Sequence, residues 1–342
     1  MPGQDPLVAI CMATFDPNPL LLERQVSSIQ KQTHGAWLCL ISDDGSSDER
    51  FERLRGLTAS DSRFSLSRSE ERLGFYLNFE RALRMVPPQA DFVALADQDD
   101  RWYPEKLARL LAHRGDAQLV YSDMRIVEEA GGVISDTFWH GRRNNHTNLA
   151  SLLLANTVTG AASLFRRELL DLVLPFPAPI GDAFHDQWIA SVALATGEIA
   201  YLDTALYDYM QHGGAASGHA AAMRGWDPRR LLSWRDPGQD LRRIAAHGRR
   251  SYEANLCRIA LAAQTIEARA GASLRGSKAR AVRRVAHLDR APEPVAWLAF
   301  RSLRRFAGHN ETMGIELSLL TAIVWRRLTR ARAWLRRRAG RR

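Results

Sequence analysis

Residues 91–105, DFVALADQDDRWYPE, decide how the rest of the chain is read. The apolar run FVALA is short and ends abruptly in acid, the pattern of a buried strand running into a functional turn. Asp97 and Asp99 lie one residue apart at its end, and strand alternation points both side chains the same way. Two nearby carboxylates repel unless a cation neutralises them, and hard oxygen ligands suit Mg2+ or Mn2+ carrying a diphosphate. The same acids can also be read as a turn capping a helix, because Trp102-Tyr103-Pro104 leads into the helical stretch Glu105–Leu111.

Working outward, short apolar runs alternate with helical segments through residue 210, which predicts an α/β fold with a mostly parallel central sheet flanked by helices. Strands are expected at Leu7–Ala13, Trp37–Ser42, Asp91–Ala96, Leu119–Ser122 and Ala161–Phe165, with a helix opening near Pro19 and placing Leu22, Val26 and Ile29 on one face. In open α/β sheets ligands bind beyond the carboxyl ends of the strands, and these ends are acidic here. Thr14-Phe15-Asp16 follows the first strand and DDGSSD, residues 43–48, the second.

Asp43 and Asp44 can accept hydrogen bonds from a nucleotide base or ribose, or serve as a turn and helix cap. Arg72-Leu73-Gly74-Phe75, followed by Asn78 and Arg81, reads either as a turn into a helix whose N-terminus attracts phosphate or orients a nucleotide, or as a structural strand-to-helix connection, and no GxGxxG fingerprint is present. His185-Asp186-Gln187-Trp188 opens an apolar helix after a proline-rich loop, so Asp186 is either a cap or a general base for an acceptor hydroxyl. Gln211-His212-Gly213 ends a last strand-like stretch, from where His212 can reach a diphosphate or metal.

The chain has 342 residues, a net charge of +9 and three cysteines, two of them inside strand-like runs, so no disulfide framework is expected. The N-terminus lacks a basic stretch before its apolar residues, which predicts a cytoplasmic protein. Charge is unevenly spread: residues 1–218 sum to −10 and residues 219–342 to +19. We therefore expect an α/β catalytic domain over 1–218 and a basic helical accessory region over 219–342, the two facing different partners. Residues 315–342 mix Leu319, Ile323 and Trp334 with many arginines, the composition either of an interfacial helix on anionic lipid at the inner face of the cytoplasmic membrane or of a solvated basic tail. The apolar part is too short to span a bilayer, and no nucleic-acid motif accompanies the charge.

Taken together, the motifs resemble family 2 glycosyltransferases of GT-A fold: VAICMATFDPNPLLLERQVSSIQKQT, ISDDGSSDE, LGFYLNFERAL, LADQDDRWYPEKL, YSDMRIVEEAGGVI, NTVTGAASLFRREL, HDQWIASVALATGEIAYLD and YMQHG stand in that family's order across residues 7–213. The resemblance implies an inverting transfer from a nucleoside-diphosphate sugar to a hydroxyl of a glycan or polyprenyl-linked acceptor. It assigns Asp186 as base, Thr14, Asp16, Asp43, Asp44, Arg72, Asn78, Asp97 and Gln98 to the donor pocket, and Asp97, Asp99 and His212 to the metal. Asp16 and Arg72 depart from the family's frequent Asn at both positions. DQDD and HDQW are most similar to rhamnosyltransferase-like members, which makes dTDP-rhamnose the first donor expected. Two other readings remain open: a sugar nucleotidyltransferase, which would release pyrophosphate, and a non-enzymatic membrane or polyanion-binding module.

Overall fold

The computed structural model describes residues 5–129, 131–139, 141–211 and 236–339. His212 and the expected boundary at Gly218 lie outside the described residues. The first part of the chain builds β1 (Val8–Thr14), α1 (Pro19–Gln30), β2 (Trp37–Asp43), α2 (Asp48–Thr58), β3 (Phe64–Arg68), α3 (Phe75–Arg84), β4 (Phe92–Ala96), β5 (Arg101–Trp102), α4 (Lys106–His113), β6 (Leu119–Glu128), β7 (Val133–Ser135), α5 (Leu149–Leu154), β8 (Ser163–Arg166), α6 (Leu170–Val173), α7 (His185–Thr196) and β9 (Ile199–Gln211).

The strands form one sheet in the order β3-β2-β1-β4-β8-β6-β9-β5, with β7 pairing β6. Strands β3, β2, β1 and β4 are mutually parallel. β8 then runs antiparallel to both β4 and β6, while β9 returns parallel to β6. The fold class is α/β as expected, and the reversal at β8 makes the sheet mixed. That reversal matters for the site, because it delivers the start of β8 to the carboxyl edge of β4. β1 has a parallel neighbour on each side, and Val8 to Met12 are fully buried, which explains why VAICM is continuously apolar rather than alternating.

The helices follow local chemistry. The Asn18 side chain accepts from Leu20 N–H at the start of α1, with Pro19 as its first residue. The second part is α8 (Pro237–Ser251), α9 (Cys257–Ala270), α10 (Gly276–Ala286), α11 (Pro292–Leu303) and α12 (Ile315–Ala339), all helical among the described residues. Asp236 caps α8 by accepting from Gln239 N–H at 3.0 Å, so the Asp-Pro-Gly that breaks the sequence pattern is a helix start. Ile259, Ala263 and Ile266 recur along one face of α9 and are buried in the same apolar cluster as Leu153, Trp188 and the sheet. The helices are therefore packed onto the α/β part through a shared core. At the far end, Leu319, Ala322 and Ile323 of α12 are buried, whereas residues 327–338 are exposed on every side. Among the described residues, no helix is long and apolar enough to cross a membrane.

Candidate active site

The carboxyl edge of β1, β2 and β4 gathers most of the residues singled out from the sequence. Parallel register sets Thr14 beside Asp43, and the Thr14 hydroxyl donates to Asp43 Oδ2 at 3.0 Å. Ser46 N–H donates to Asp43 Oδ1, closing a turn at Gly45, whose φ of +78° favours glycine. Asp44 accepts from both Leu73 N–H (2.6 Å) and Gly74 N–H (2.8 Å), which fastens the segment leading into α3 against the end of β2. Asn78 is buried and bridges the two strand ends, donating to the carbonyls of Ser42 and Thr14 and accepting from the Ser42 hydroxyl.

Asp16 is exposed, with φ +37°, and accepts from Ser47 N–H at 2.8 Å where α2 begins. Gln98 exchanges two hydrogen bonds with the backbone of Phe15, at 2.8 and 3.2 Å, joining the loops after β1 and β4. Arg72 is exposed, its guanidinium 3.8 Å from the centre of the Phe15 ring. Asp44, Asn78 and Gln98 thus spend hydrogen bonds on internal ties that fix the walls, leaving Arg72 and the Phe15 ring at the mouth.

Asp97 sits beyond β4, where burial, then Asp99, then Asp186 push its carboxyl up to about 7, opposed by Lys106. Those causes are the electrostatic record of three acids sharing one environment. Behind them, Asp100 is fully buried; its Oδ1 accepts from Met210 N–H, and its Oδ2 has no partner among the described residues. Burial first, then Asp97 and Asp99, raise the Asp100 carboxyl well above the usual range. Lys106 is also fully buried, donates to the Ala161 carbonyl and lies over the Trp102 ring at 3.7 Å and the Tyr207 ring at 4.3 Å. Burial pushes its ammonium well below the ordinary lysine value.

Asp186 enters from α7. The residue before that helix, Phe184, offers no side-chain cap, and Asp186 lies in the first turn, accepting from Gln187 N–H at 2.6 Å. Burial raises its carboxyl to about 6, opposed by the Gln187 and Gly160 N–H groups, the Asn156 side chain and Arg258. Gly160 has no room for a side chain, since a Cβ there would lie 2.8 Å from His185 Nε2 and 3.4 Å from both Asp186 and Leu95. His185 stacks on Phe79 at 3.7 Å, and burial pushes its imidazole down to about 3, so it stays neutral. The antiparallel β8 is what sets Gly160 against the end of β4, and with it the base candidate near Asp97.

Sequence reasoning assigns no role to Asn156, Gly160, Asp100, Lys106 or Arg258. Asn156 and Gly160 stand in the motif NTVTG, which is the signal that could have found them; Lys106 looks like an ordinary helix residue, and Arg258 gives no signal 72 residues beyond Asp186. A divalent cation fits the donor set: Asp97 and Asp99 are hard oxygen ligands whose proximity and burial disfavour two bare charges. No group of three His, Cys, Asp or Glu ligands occurs among the described residues, so diphosphate and water oxygens would complete the shell, and His212 lies outside those residues.

The sequence is similar to those of known glycosyltransferases. The chain is 30% identical over 125 residues to UDP-Glc:alpha-D-GlcNAc-diphosphoundecaprenol beta-1,3-glucosyltransferase WfgD of Escherichia coli, covering 36% of this chain and 47% of that protein. It is 28% identical over 122 residues to the putative teichuronic acid biosynthesis glycosyltransferase TuaG of Bacillus subtilis, covering 36% and 47%. The chain thus spans less than half the length of these curated relatives. The crystal structure of S. aureus TarS 1–349 in complex with UDP-GlcNAc superposes with a TM-score of 0.53 over 92% of this chain and 90% of that one at 15% identity, a likeness of GT-A fold. Residues 9–174 match the Glycosyl transferase family 2 profile, and the chain carries a glycosyltransferase family 2 domain over that span.

Proposed function

We propose that the protein is an inverting glycosyltransferase that moves a sugar from a nucleoside-diphosphate donor to a hydroxyl of a glycan or polyprenyl-linked acceptor in bacterial surface polysaccharide synthesis. What supports it most is that Asp186, on α7, packs with Leu95 of β4 around Gly160, near enough to Asp97 and Asp99 for the three carboxyls to act on one another. Thr14, Asp16, Asp43, Asp44, Arg72, Asn78, Asp97 and Gln98 form or brace the donor pocket. Asp97 and Asp99 would hold Mg2+ or Mn2+, which supplies Lewis-acid neutralisation of the charge that gathers on the departing diphosphate.

Asp186 takes the proton of the acceptor hydroxyl as that oxygen attacks the anomeric carbon from the face opposite the leaving group. Its raised pKa makes it a better base than an exposed aspartate, while it remains largely ionised near neutral pH. Gly160 N–H and the Asn156 side chain orient the carboxylate. Neutral His185, wedged between Phe79 and Gly160, packs behind it. No covalent intermediate is needed.

dTDP-rhamnose is the first donor to test, on the strength of DQDD and HDQW, with UDP-sugars next because the E. coli relative is named for UDP-glucose. The exposed part of α12 supports peripheral contact with anionic lipid at the cytoplasmic face. Val324, Leu328, Ala331 and Leu335 form a stripe flanked by arginines, while residues 315–323 are largely used for packing. The deciding experiment screens nucleotide sugars for Mg2+- or Mn2+-dependent thermal stabilisation and identifies the released product. A nucleoside diphosphate is expected; pyrophosphate from a triphosphate would replace this reading with nucleotidyl transfer, and no nucleotide binding at all would leave the membrane-binding module.

A further inference from the structure

A cleft between α7 and α9 is left unused by the donor side of the site. Tyr76, Leu153, Phe184, Trp188 and Ile259 form its walls, and it opens to solvent at its mouth. Its floor is apolar, and the Tyr76 hydroxyl is already committed to the Pro177 carbonyl. Gln187 in its lining is committed to the Leu152 and Leu153 carbonyls and to Arg258, which leaves Ser191 and Arg258 as polar groups, few for the several hydrogen bonds a sugar ring makes.

One charged group faces this cleft. Arg258, on α9, donates to Gln187 Oε1, but its Nε is buried without a partner, and no carboxylate among the described residues forms an ion pair with it. Asp182 and Asp186 act on it only through space, and burial lowers its pKa. A partly buried guanidinium whose neighbouring carboxylates form no ion pair with it is incompletely compensated, and an anion supplied by a ligand completes the compensation. Gln187, which holds Arg258, is the residue after Asp186 on α7, and Asp186 and Arg258 act on each other through space, so the cleft neighbours the base.

We propose that this cleft binds an apolar group bearing one oxyanion, a phosphate ester or a carboxylate, with Arg258 as the partner of the anion. Its assignment as the acceptor side rests on the glycosyl-transfer reading; the binding itself does not. The C-terminal helices then complete the site that the α/β part begins.

The test is calorimetric titration of the full-length protein with phenyl phosphate, phenylacetate, benzyl alcohol and inorganic phosphate. At least one of the two aromatic anions should bind about tenfold or more tighter than benzyl alcohol and inorganic phosphate, since charge-assisted bonds to arginine are the strong ones. The tighter of the two identifies phosphate or carboxylate as the source. Arg258→Met should remove the preference, and Arg258→Lys should restore part of it. Ala262→Phe, which fills the cleft and leaves Arg258 in place, should block all aromatic probes. Nucleoside-diphosphate binding should be unchanged in each variant, which verifies folding. Equal affinity for charged and neutral aromatics, or undiminished anion binding in Arg258→Met, overturns the proposal. Absence of sugar transfer with intact anion binding would instead remove only the word acceptor.

Discussion

Replacing Asp186 by Asn separates a base from a helix cap by the sign of its effect on stability. In the folded protein the carboxyl stands at about 6, against 3.8 for an ordinary aspartate. A carboxyl with a raised folded pKa is one the folded state would rather keep protonated. Stability is therefore lost as pH rises from 3.8 to about 6, and the full cost is present above that. Raising a carboxyl that far corresponds to a cost on the order of 3 kcal/mol at most. The amide loses about 1 kcal/mol of that through poorer acceptance from Gly160 and Gln187. We expect Asp186→Asn to melt a few degrees higher than wild type near pH 8 in chelator, with the gain shrinking to nothing near pH 4. In the same variant, turnover should fall about 10²- to 10⁴-fold while nucleoside-diphosphate affinity holds. In the wild type with saturating cation, kcat/KM should fall about tenfold for each unit below pH 6. Thermal melts across pH, beside an assay of released nucleoside diphosphate, measure both halves. A variant that melts lower at every pH, as loss of charge from a helix start predicts, would refute the base assignment.

Other perturbations test the surroundings. Gly160→Ala places a Cβ against His185 and Asp186, and should cost about 1–3 kcal/mol by denaturant titration along with most of the turnover; wild-type behaviour would mean that this close approach is not needed. Lys106 and Asp100 act on each other electrostatically in one buried environment, so Lys106→Met and Asp100→Asn should be non-additive, the double variant losing about 0.5–3 kcal/mol less than the sum of the two single variants. Simple additivity in that cycle would show that the two side chains do not act as a pair. Co-sedimentation with vesicles containing anionic lipid should require Arg336, Arg337 and Arg338 and weaken with salt, each arginine contributing about 1 kcal/mol near the surface; binding to neutral vesicles that is unaffected by salt would contradict the electrostatic account.

How much of the fold and site is legible in the sequence depends on how local each feature is. Strand positions are legible where a strand is buried on both faces, as in VAICMA and FVALA, because burial alone dictates an apolar run. β6 extends six residues past the expected Leu119–Ser122, since its later half alternates Asp123, Arg125 and apolar residues to suit a partly polar edge with β7. The residues around Asp97 are visible because one turn supplies them. The environment of Asp186 is not, since it depends on the antiparallel return of β8, and sequence periodicity carries no strand direction. Lys106 shows the same limit: a lysine on a helix is ordinarily exposed, and only the fold turns this one inward onto Trp102 and Tyr207.

Charge asymmetry has a similar physical resolution. An acidic first part and a basic second part suggest different partners, yet several C-terminal cations face the α/β part itself. Arg269 donates to the carbonyls of Leu172, Val173 and Pro175, Lys278 reaches Gly197 and Glu198, and Arg301 bonds Ser151. Most of these bonds go to backbone carbonyls and a hydroxyl, so they join the two parts without neutralising the acids at the sheet edge. Asp97 and Asp99 still repel, and a divalent cation would relieve that repulsion. Among the remaining cations, Arg258 is acted on by Asp186 and makes no ion pair among the described residues, and the arginines in the last turns of α12 are exposed. On the readings proposed above, the first would meet an anion within the site and the others an anionic surface outside it.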